Sequence, residues 1–266
     1  MQRISPRFGK ARLYRQDVGP IERTYFTLFG LADPGHFIRS EYFKRYIHNV
    51  APTSILDAGC GSGDYSFYLA ERFPLSRITA IDRNALIIER NLRTRDKMEL
   101  SNIHFRVQDL KAVDDSNSYD LITCIDVLQY IESPEMVISN FAKALKKNGY
   151  LYLHLPLLRR NKVPLNRFLK NFHADEAIAV RTKKTRDEVI YMIEDAKLNI
   201  EKSQYTFAHY AGELACSLSC AFYKDIPLNR LMQGFVSPLT RMLGGLELSG
   251  RWSDGFALAV LAKKLI

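Results

Sequence analysis

The chain has 266 residues, of which 47% are hydrophobic and 25% are charged, and this composition is typical of a folded globular protein rather than a disordered one. Its 38 basic and 29 acidic residues give a net charge of +9, which favours anionic partners (phosphate-bearing ligands, nucleic acid, acidic membrane surfaces) without choosing among them. The N-terminal stretch lacks a signal-peptide core, and no run of about 18 apolar residues occurs. We therefore expect a cytoplasmic protein, with contact to a membrane surface still open.

The four cysteines are Cys60, Cys124, Cys216 and Cys220. They show no paired framework, and Cys216 and Cys220 lack the partner ligands that a zinc site needs. We predict buried thiols in a reducing compartment and no metal site.

From residue 54 to 156, short apolar runs alternate with amphipathic stretches, which predicts βαβ units and a parallel sheet. The predicted strands are Ser54 to Asp57, Ile78 to Asp82, Ile103 to Asp109, Tyr119 to Asp126 and Tyr150 to Pro156. The predicted helices are Asp64 to Phe73, Asn84 to Met98 and Pro134 to Lys147, the last of them ended by Asn148-Gly149.

The second half of the chain resumes this pattern at Thr185, where a capping box opens a helix that we predict to end near Lys197. Two further strands, Ile200 to Phe207 and Phe256 to Lys263, bring the total to seven. The predicted organisation is an N-terminal helical lid segment (1–50) and an α/β domain (51–266). Helical insertions at 157–184 and 208–255 are expected to form a lid, with helices at 211–223 and 228–243 in the second.

The most informative run is the strand that ends at Asp57 and passes directly into Gly59, Gly61 and Gly63. Glycine permits close approach of the backbone to a ligand. A dinucleotide fingerprint would place a glycine at position 64, where Asp64 stands, and this argues against a pyrophosphate site. An acidic residue just before the glycines suits a ligand that carries an amino group.

This run resembles the first motif of the class I S-adenosylmethionine-dependent methyltransferases, in particular the small-molecule members. The resemblance covers residues 50–156, with further agreement at 178–207 and in the last strand. It implies a Rossmann-like, seven-stranded, mostly parallel sheet and S-adenosyl-L-methionine as the cofactor. The cofactor-binding residues that it implies are Asp57, Gly59, Cys60, Gly61, Gly63, Asp82, Arg83, Asp109, Leu110 and Asp126.

The resemblance also implies roles. Asp57 would support the ammonium group of the cofactor, Asp82 would accept both ribose hydroxyls, Asp109 would face the adenine amino group with Leu110 beside the ring, and Asp126 would lie near the methionine end. From the residues alone, the less favoured alternatives are a helix cap for Asp82 and a plain turn residue for Asp109. The chain departs from the family pattern after Asp126, where Gln129 and Tyr130 replace a common glutamate and histidine.

His154 is the candidate catalytic base, because it lies near the carboxyl end of the fifth strand, where ligands of open α/β sheets bind. The alternative is a structural histidine within the strand. Methyl transfer itself is an in-line displacement that depends mainly on alignment, so a base is needed only for an acceptor that must lose a proton.

The methyl acceptor is the least determined feature. The stretch after the fourth strand lacks an Asn-Pro-Pro-Tyr tetrad, which disfavours amines of DNA bases and protein glutamine as acceptors. We expect a small-molecule or lipid-linked metabolite as the acceptor. The basic insertion is either a solvated face or a contact for a phosphate-bearing acceptor or anionic lipid, and the apolar one either packs on the protein or contacts a membrane. The alternatives are an RNA methyltransferase and a non-catalytic partner subunit that binds the cofactor.

Overall fold

The computed structural model describes residues 8–15, 18–20, 23–24, 27, 34–158, 184–208, 239, 242 and 244–265. Its helices are α1 (Pro34–Ile47), α2 (Asp64–Arg72), α3 (Ala85–Lys97), α4 (Pro134–Ala144) and α5 (Arg186–Asp195). Its strands are β1 (Ser54–Ala58), β2 (Arg77–Asp82), β3 (Ile103–Val107), β4 (Tyr119–Ile125), β5 (Leu145–Pro156), β6 (Leu198–Thr206) and β7 (Ala257–Lys264). Short 3₁₀ helices occupy Lys10–Tyr14, Leu110–Ala112 and Leu128–Tyr130, and residues 239, 242 and 244–249 are helical.

The seven strands form one sheet in the order β3-β2-β1-β4-β5-β7-β6. All neighbouring pairs from β3 to β5 are parallel, whereas β7 runs antiparallel to both β5 and β6. The predicted seven-stranded, mostly parallel, Rossmann-like sheet is therefore confirmed.

The order of the strands fixes where a ligand can bind. The chain winds outward from β1 through β2 to β3 and then returns to the other side of β1 as β4. The connections on the two sides of β1 leave the sheet in opposite directions, which opens a crevice at the carboxyl ends of β1 and β4.

The core lies in two layers, one on each face of the sheet. On one face α1, α2 and α3 bury apolar side chains that include Ile38, Phe43, Phe67 and Ile88. On the other face α4 and α5 bury a second set that includes Val137, Phe141, Val189 and Ile193. Because α1 contributes to the first layer, residues 34–47 of the predicted N-terminal segment are part of the core.

The predicted end of α4 and the predicted start of β5 are wrong. The helix predicted to run from Pro134 to Lys147 ends at Ala144, and β5 begins at Leu145. Asn148 has a φ of 63°, so the Asn-Gly pair marks an irregularity inside β5 rather than the end of a helix. The pairing of β4 with β5 shifts at this point, from Tyr119 opposite Leu145 to Leu121 opposite Tyr150.

The helices predicted at 211–223 and 228–243 lie outside the described residues, apart from positions 239 and 242, which are helical. Cys216 and Cys220 also lie outside them, whereas Cys60 and Cys124 are buried free thiols. Within the part of the chain that is described, no helix is both long enough and apolar enough to cross a membrane.

Asp120 joins three strands at the edge of the sheet opposite the crevice. Its carboxylate accepts hydrogen bonds from the backbone N–H and the hydroxyl group of both Thr53 and Ser54, and Lys146 lies 3.1 Å away. Burial works against ionisation, but these donors outweigh it and hold the pKa of Asp120 well below its usual value.

We therefore expect Asp120→Asn to lower the free energy of unfolding by about 1–3 kcal/mol, because the amide cannot accept all of these bonds. A depressed pKa means that the contribution is present above about pH 4 and is lost as the pH falls further. Urea unfolding at pH 7 and pH 3 measures this difference, with Asp114→Asn, at an exposed position, as the control. Equal losses at both pH values would contradict the assignment.

Candidate active site

A cavity of about 530 Å³ lies in the crevice at the carboxyl ends of β1, β2 and β4. Nine of the predicted cofactor-binding residues line it, namely Asp57, Gly59, Cys60, Gly61, Asp82, Arg83, Asp109, Leu110 and Asp126. Gly63 is outside the lining, and its φ of 78° instead provides the turn into α2.

The glycine loop leaves no room for a side chain at Gly59. This residue has a φ of 77°, and a Cβ there would lie 2.5 Å from a methyl carbon of Val127. The loop is fixed by the N–H groups of Gly59 and Cys60, which both donate to the carbonyl oxygen of Ile81 over 2.8 Å. At Gly61, by contrast, a Cβ would meet no protein atom within 4 Å, so the backbone faces open space in the cavity.

Asp57 is a buried carboxyl group at the floor of the cavity. It accepts hydrogen bonds from the hydroxyl groups of Ser66 and Thr123. Burial nevertheless raises the pKa of Asp57 to about 6, since two neutral donors do not replace the solvation of a charge. A cationic ligand group beside this carboxyl would stabilise its ionised form.

Asp82 ends β2 at the rim of the cavity. One of its carboxylate oxygens accepts the N–H of Gly61 over 3.0 Å, and the other accepts the N–H of Asn84 over 2.9 Å. Each oxygen of a carboxylate can accept two hydrogen bonds, so both oxygens can still receive a hydroxyl group. The cap of α3 is provided by Asn84 rather than by Asp82.

Asp109 lies beyond β3, which ends two residues earlier than predicted. Its Oδ1 accepts the N–H of Lys111 over 2.8 Å and so caps the 3₁₀ turn that contains the buried Leu110. Among the described residues none donates to its Oδ2, which remains for a ligand. Asp109 is therefore a turn residue and a member of the cavity lining at once.

Asp126 lies between two side chains that both bind its carboxylate. It follows β4 with a φ of 55°, and its carboxylate is 2.8 Å from Arg39 on one side and 2.7 Å from His154 on the other. Burial opposes ionisation, but these two partners outweigh it and hold the pKa of Asp126 at about 2. Asp126 is a carboxylate throughout the neutral range.

The structure does not place His154 where a base must lie to contact an acceptor. The ring is 2% exposed and is not part of the cavity lining. Its Nδ1 lies 2.7 Å from Asp126, and its Nε2 lies 3.0 Å from the hydroxyl of Thr206. The carboxylate can only accept, so Nδ1 carries a proton and donates to Asp126, while Nε2 shares a hydrogen bond with the hydroxyl of Thr206. Both ring nitrogens are thus engaged.

Asp64 occupies the position at which the dinucleotide fingerprint has glycine. It is buried at the first turn of α2, where it meets the Arg12 guanidinium over 2.9 Å and the Ser62 hydroxyl over 2.7 Å. Arg15, itself buried, lies 3.9 Å away and donates to the carbonyl oxygen of Ser62. The carboxylate of Asp64 therefore occupies the position where a phosphate would bind. The contacts of Arg12 and Arg15 also hold this part of the N-terminal segment against the glycine loop.

Several lining residues have no counterpart in the sequence-based prediction. His36 and Arg39 come from α1, and Tyr65 comes from α2. The sequence of α1 carries no motif, and its residues reach the site only because the helix packs across the sheet. Among the described residues no group of three His, Cys, Asp or Glu side chains forms a metal site.

Comparison with known proteins is consistent with this geometry. A family profile described as "Methyltransferase domain" matches residues 50–212, more than half of the chain. The ubiquinone biosynthesis O-methyltransferase of Coxiella burnetii is 29% identical over 127 residues, which are 46% of this chain and 53% of that protein. The (S)-coclaurine N-methyltransferase of Thalictrum flavum is 26% identical over 100 residues, which are 38% of this chain and 28% of that protein. The chain thus spans about half the length, or less, of these curated relatives.

Solved structures share the fold at low sequence identity. Geranyl diphosphate C-methyltransferase from Streptomyces coelicolor superposes with a TM-score of 0.61 at 13% identity, covering 97% of this chain and 89% of that one. The cyclase SpnF superposes equally well, with a TM-score of 0.61 at 14% identity and coverage of 87% and 81%. The fold alone therefore does not specify a reaction. The match of the family profile to more than half of the sequence decides the family, and the chain belongs to the class I S-adenosylmethionine-dependent methyltransferases.

Proposed function

We propose that this protein transfers the methyl group of S-adenosylmethionine to a small-molecule or lipid-linked acceptor. The observation that carries the proposal is the arrangement of acidic residues around one cavity. Asp57 and Asp82 lie at the carboxyl ends of β1 and β2, Asp109 and Asp126 follow β3 and β4, and the backbone at Gly61 faces open space in the same cavity. This order suits a cofactor that has an amino acid part, a ribose and an adenine in sequence.

The amino acid end of the cofactor fits the group formed by Arg39, Asp57 and Asp126. Arg39 and Asp126 form an ion pair at the cavity wall, and both are about a quarter exposed. Such a pair presents a cation and an anion together, which complements a carboxylate and an ammonium group on one carbon. Asp57 adds a second acidic group below them, and its raised pKa falls when a cation binds nearby.

The other end of the cofactor fits the rim. Asp82 has the remaining acceptor capacity for two ribose hydroxyls, and the free Oδ2 of Asp109 suits the adenine amino group, with Leu110 beside the ring. The glycine loop carries no phosphate-binding role, since the buried Asp64 already supplies the negative charge at the first turn of α2.

Bound in this way, the cofactor supplies a methyl group that is already activated on a sulfonium. The protein then has to align the acceptor and exclude water. Arg39, Asp126 and Tyr130 line the same cavity as the glycine loop, so they are placed to border the acceptor. We propose that His154 positions Asp126 through their hydrogen bond and does not itself remove a proton.

The relatives support a small acceptor. Those matched in sequence are named for ubiquinone biosynthesis and for coclaurine, and one structural neighbour is named for geranyl diphosphate. Lipid-linked acceptors and peripheral membrane contact would account for the basic net charge and the apolar 208–255 segment.

The function is tested by incubating the purified protein with methyl-labelled S-adenosylmethionine and a cell extract, followed by partition of the label. We expect labelled product in the organic phase, because a lipid-linked acceptor extracts there. Label confined to the RNA fraction would contradict the proposal, and an absence of transfer to any fraction would contradict enzymatic activity.

Asp82 provides the sharpest test of the cofactor site. We expect Asp82→Asn to weaken binding of S-adenosylhomocysteine by about 10- to 100-fold, because it removes one or two charge-assisted hydrogen bonds while it keeps an oxygen for the loop. Isothermal titration measures this loss. Asp114→Asn, which removes an exposed carboxylate outside the cavity, is the matched control and should bind normally. Unchanged affinity in Asp82→Asn would remove this residue from the site.

Substitutions of His154 separate positioning from base catalysis. His154→Asn keeps a donor near Asp126 but cannot titrate, so we expect kcat within about threefold of the original and an unchanged pH profile. A base would instead supply about 10²- to 10⁴-fold in rate. His154→Ala removes the bond to Asp126, and we expect it to raise KM for the cofactor more than it lowers kcat. Loss of the acidic limb of the profile in His154→Asn, where a base becomes protonated and inactive, would restore the catalytic assignment.

A further inference from the structure

The helical residues 239, 242 and 244–249 expose an apolar face. Leu239, Met242 and Leu246 are 50%, 61% and 50% exposed, and these helical positions are three and four residues apart, which is the spacing of one face of an α-helix. Among the described residues, no other helix exposes three large apolar side chains at such spacing. Singly exposed apolar residues are ordinary, but an aligned set indicates a surface that contacts something else.

The opposite side of this helix is fixed to the protein. Glu247 is fully buried, accepts the N–H of Ala208 with both of its oxygens over 3.2 Å, and contacts the hydroxyl of Tyr42 at 3.4 Å. Arg45 of α1 donates to the carbonyl oxygen of Leu248 over 2.6 Å. The helix therefore cannot turn its apolar face inward without breaking the hydrogen bonds of a buried carboxylate.

An aromatic and basic groove lies at the carboxyl end of the same helix. This cavity of about 670 Å³ is lined in part by Tyr205, Trp252, Arg186, Lys202 and Arg251. The indole N–H of Trp252 donates to the carbonyl oxygen of Glu247 over 2.8 Å, which joins the groove to the helix. Lys202 and Arg251 are exposed, so their charges face solvent.

We propose that this surface, the apolar helix face with the basic groove beside it, binds the interface of a membrane that contains anionic lipids. An apolar helix face with adjacent Trp, Arg and Lys is the pattern of helices that lie in the headgroup region. The basic side chains of the groove and the basic net charge of the chain complement anionic headgroups, and a lipid surface can engage an apolar face and neighbouring basic groups together.

The surface is connected to the candidate active site. The N–H of Ala208 donates to Glu247 of the helix. Two residues before Ala208, the hydroxyl of Thr206 forms a hydrogen bond with His154, which in turn contacts Asp126. Because β6 is parallel to β5, Thr206 lies at the same edge of the sheet as the cavity. The inference deepens the proposed lipid-linked acceptor and rests on that proposal for its purpose, but its test does not depend on methyl transfer.

The experiment measures co-sedimentation of the protein with vesicles of phosphatidylglycerol and of phosphatidylcholine, without cofactor or acceptor. Trp252 is the only tryptophan of the chain, so its fluorescence reports on this surface directly. We expect binding to the anionic vesicles that weakens with salt, together with a shift of the emission to shorter wavelength.

Leu246→Glu is expected to weaken vesicle binding on the order of tenfold, since it places a charge in the apolar face. Lys202→Glu and Arg251→Glu should each weaken binding to anionic vesicles by about fivefold or more. The matched control is Leu75→Glu, which changes a 99% exposed leucine elsewhere and should bind as the original does. Thermal unfolding shows that each variant is folded.

Equal binding to both kinds of vesicle, no binding to either, or an equal effect of Leu75→Glu would overturn the proposal. A dimer in solution that Leu246→Glu dissociates would overturn it as well, because the face would then be a contact between copies. Transfer of label to a soluble acceptor, with vesicle binding intact, would instead contradict only the lipid-linked part of the proposed function.

Discussion

The charge of Asp126 is the feature on which the arrangement of the site depends. A partly buried carboxylate is costly unless it is paired, and this one is paired from two directions by Arg39 of α1 and His154 of β5. Since β4 ends at Ile125, the chain places the carboxylate directly at the edge of the sheet, in a left-handed conformation that asparagine and aspartate tolerate best among residues with a side chain. The same ion pair thus joins α1 to the cavity wall.

A second acidic residue decides which cofactor the fold can hold. In dinucleotide-binding proteins the first turn of the helix after β1 receives a phosphate. Here the buried Asp64 takes that place and is neutralised by arginines of the N-terminal segment. A phosphate would have to displace an internal anion, whereas an uncharged ribose and an amino acid meet no such repulsion. The glycine loop therefore keeps the backbone geometry of a nucleotide site while its charge selects a different ligand.

The sequence predicts the sheet well because its signals are local. Each strand is a short apolar run, and glycine or aspartate follows it where the chain turns, so seven strands and nine lining residues of the cavity could be named in advance. The predicted end of α4 at Lys147 is wrong because Asn-Gly commonly ends a helix but also suits an irregularity within a strand. Only the pairing of β5 with β4 distinguishes these two structures. Arg39, His36 and Tyr65 could not be named, because no local pattern indicates which residues of α1 and α2 meet the carboxyl ends of the strands.

His154 illustrates the limit of reasoning from position along a strand. The end of β5 does lie at the ligand-binding edge, but a side chain there can face either the cavity or the layer beneath α1, and the pattern of the strand does not distinguish these two. The layer beneath α1 is aromatic, with Phe43 and Tyr152 fully buried, and a buried histidine in it needs hydrogen-bond partners for both ring nitrogens. Asp126 and Thr206 provide them. The same two bonds join Asp126, after the end of β4, to Thr206 at the end of β6, so one imidazole connects the cavity wall to the far edge of the sheet.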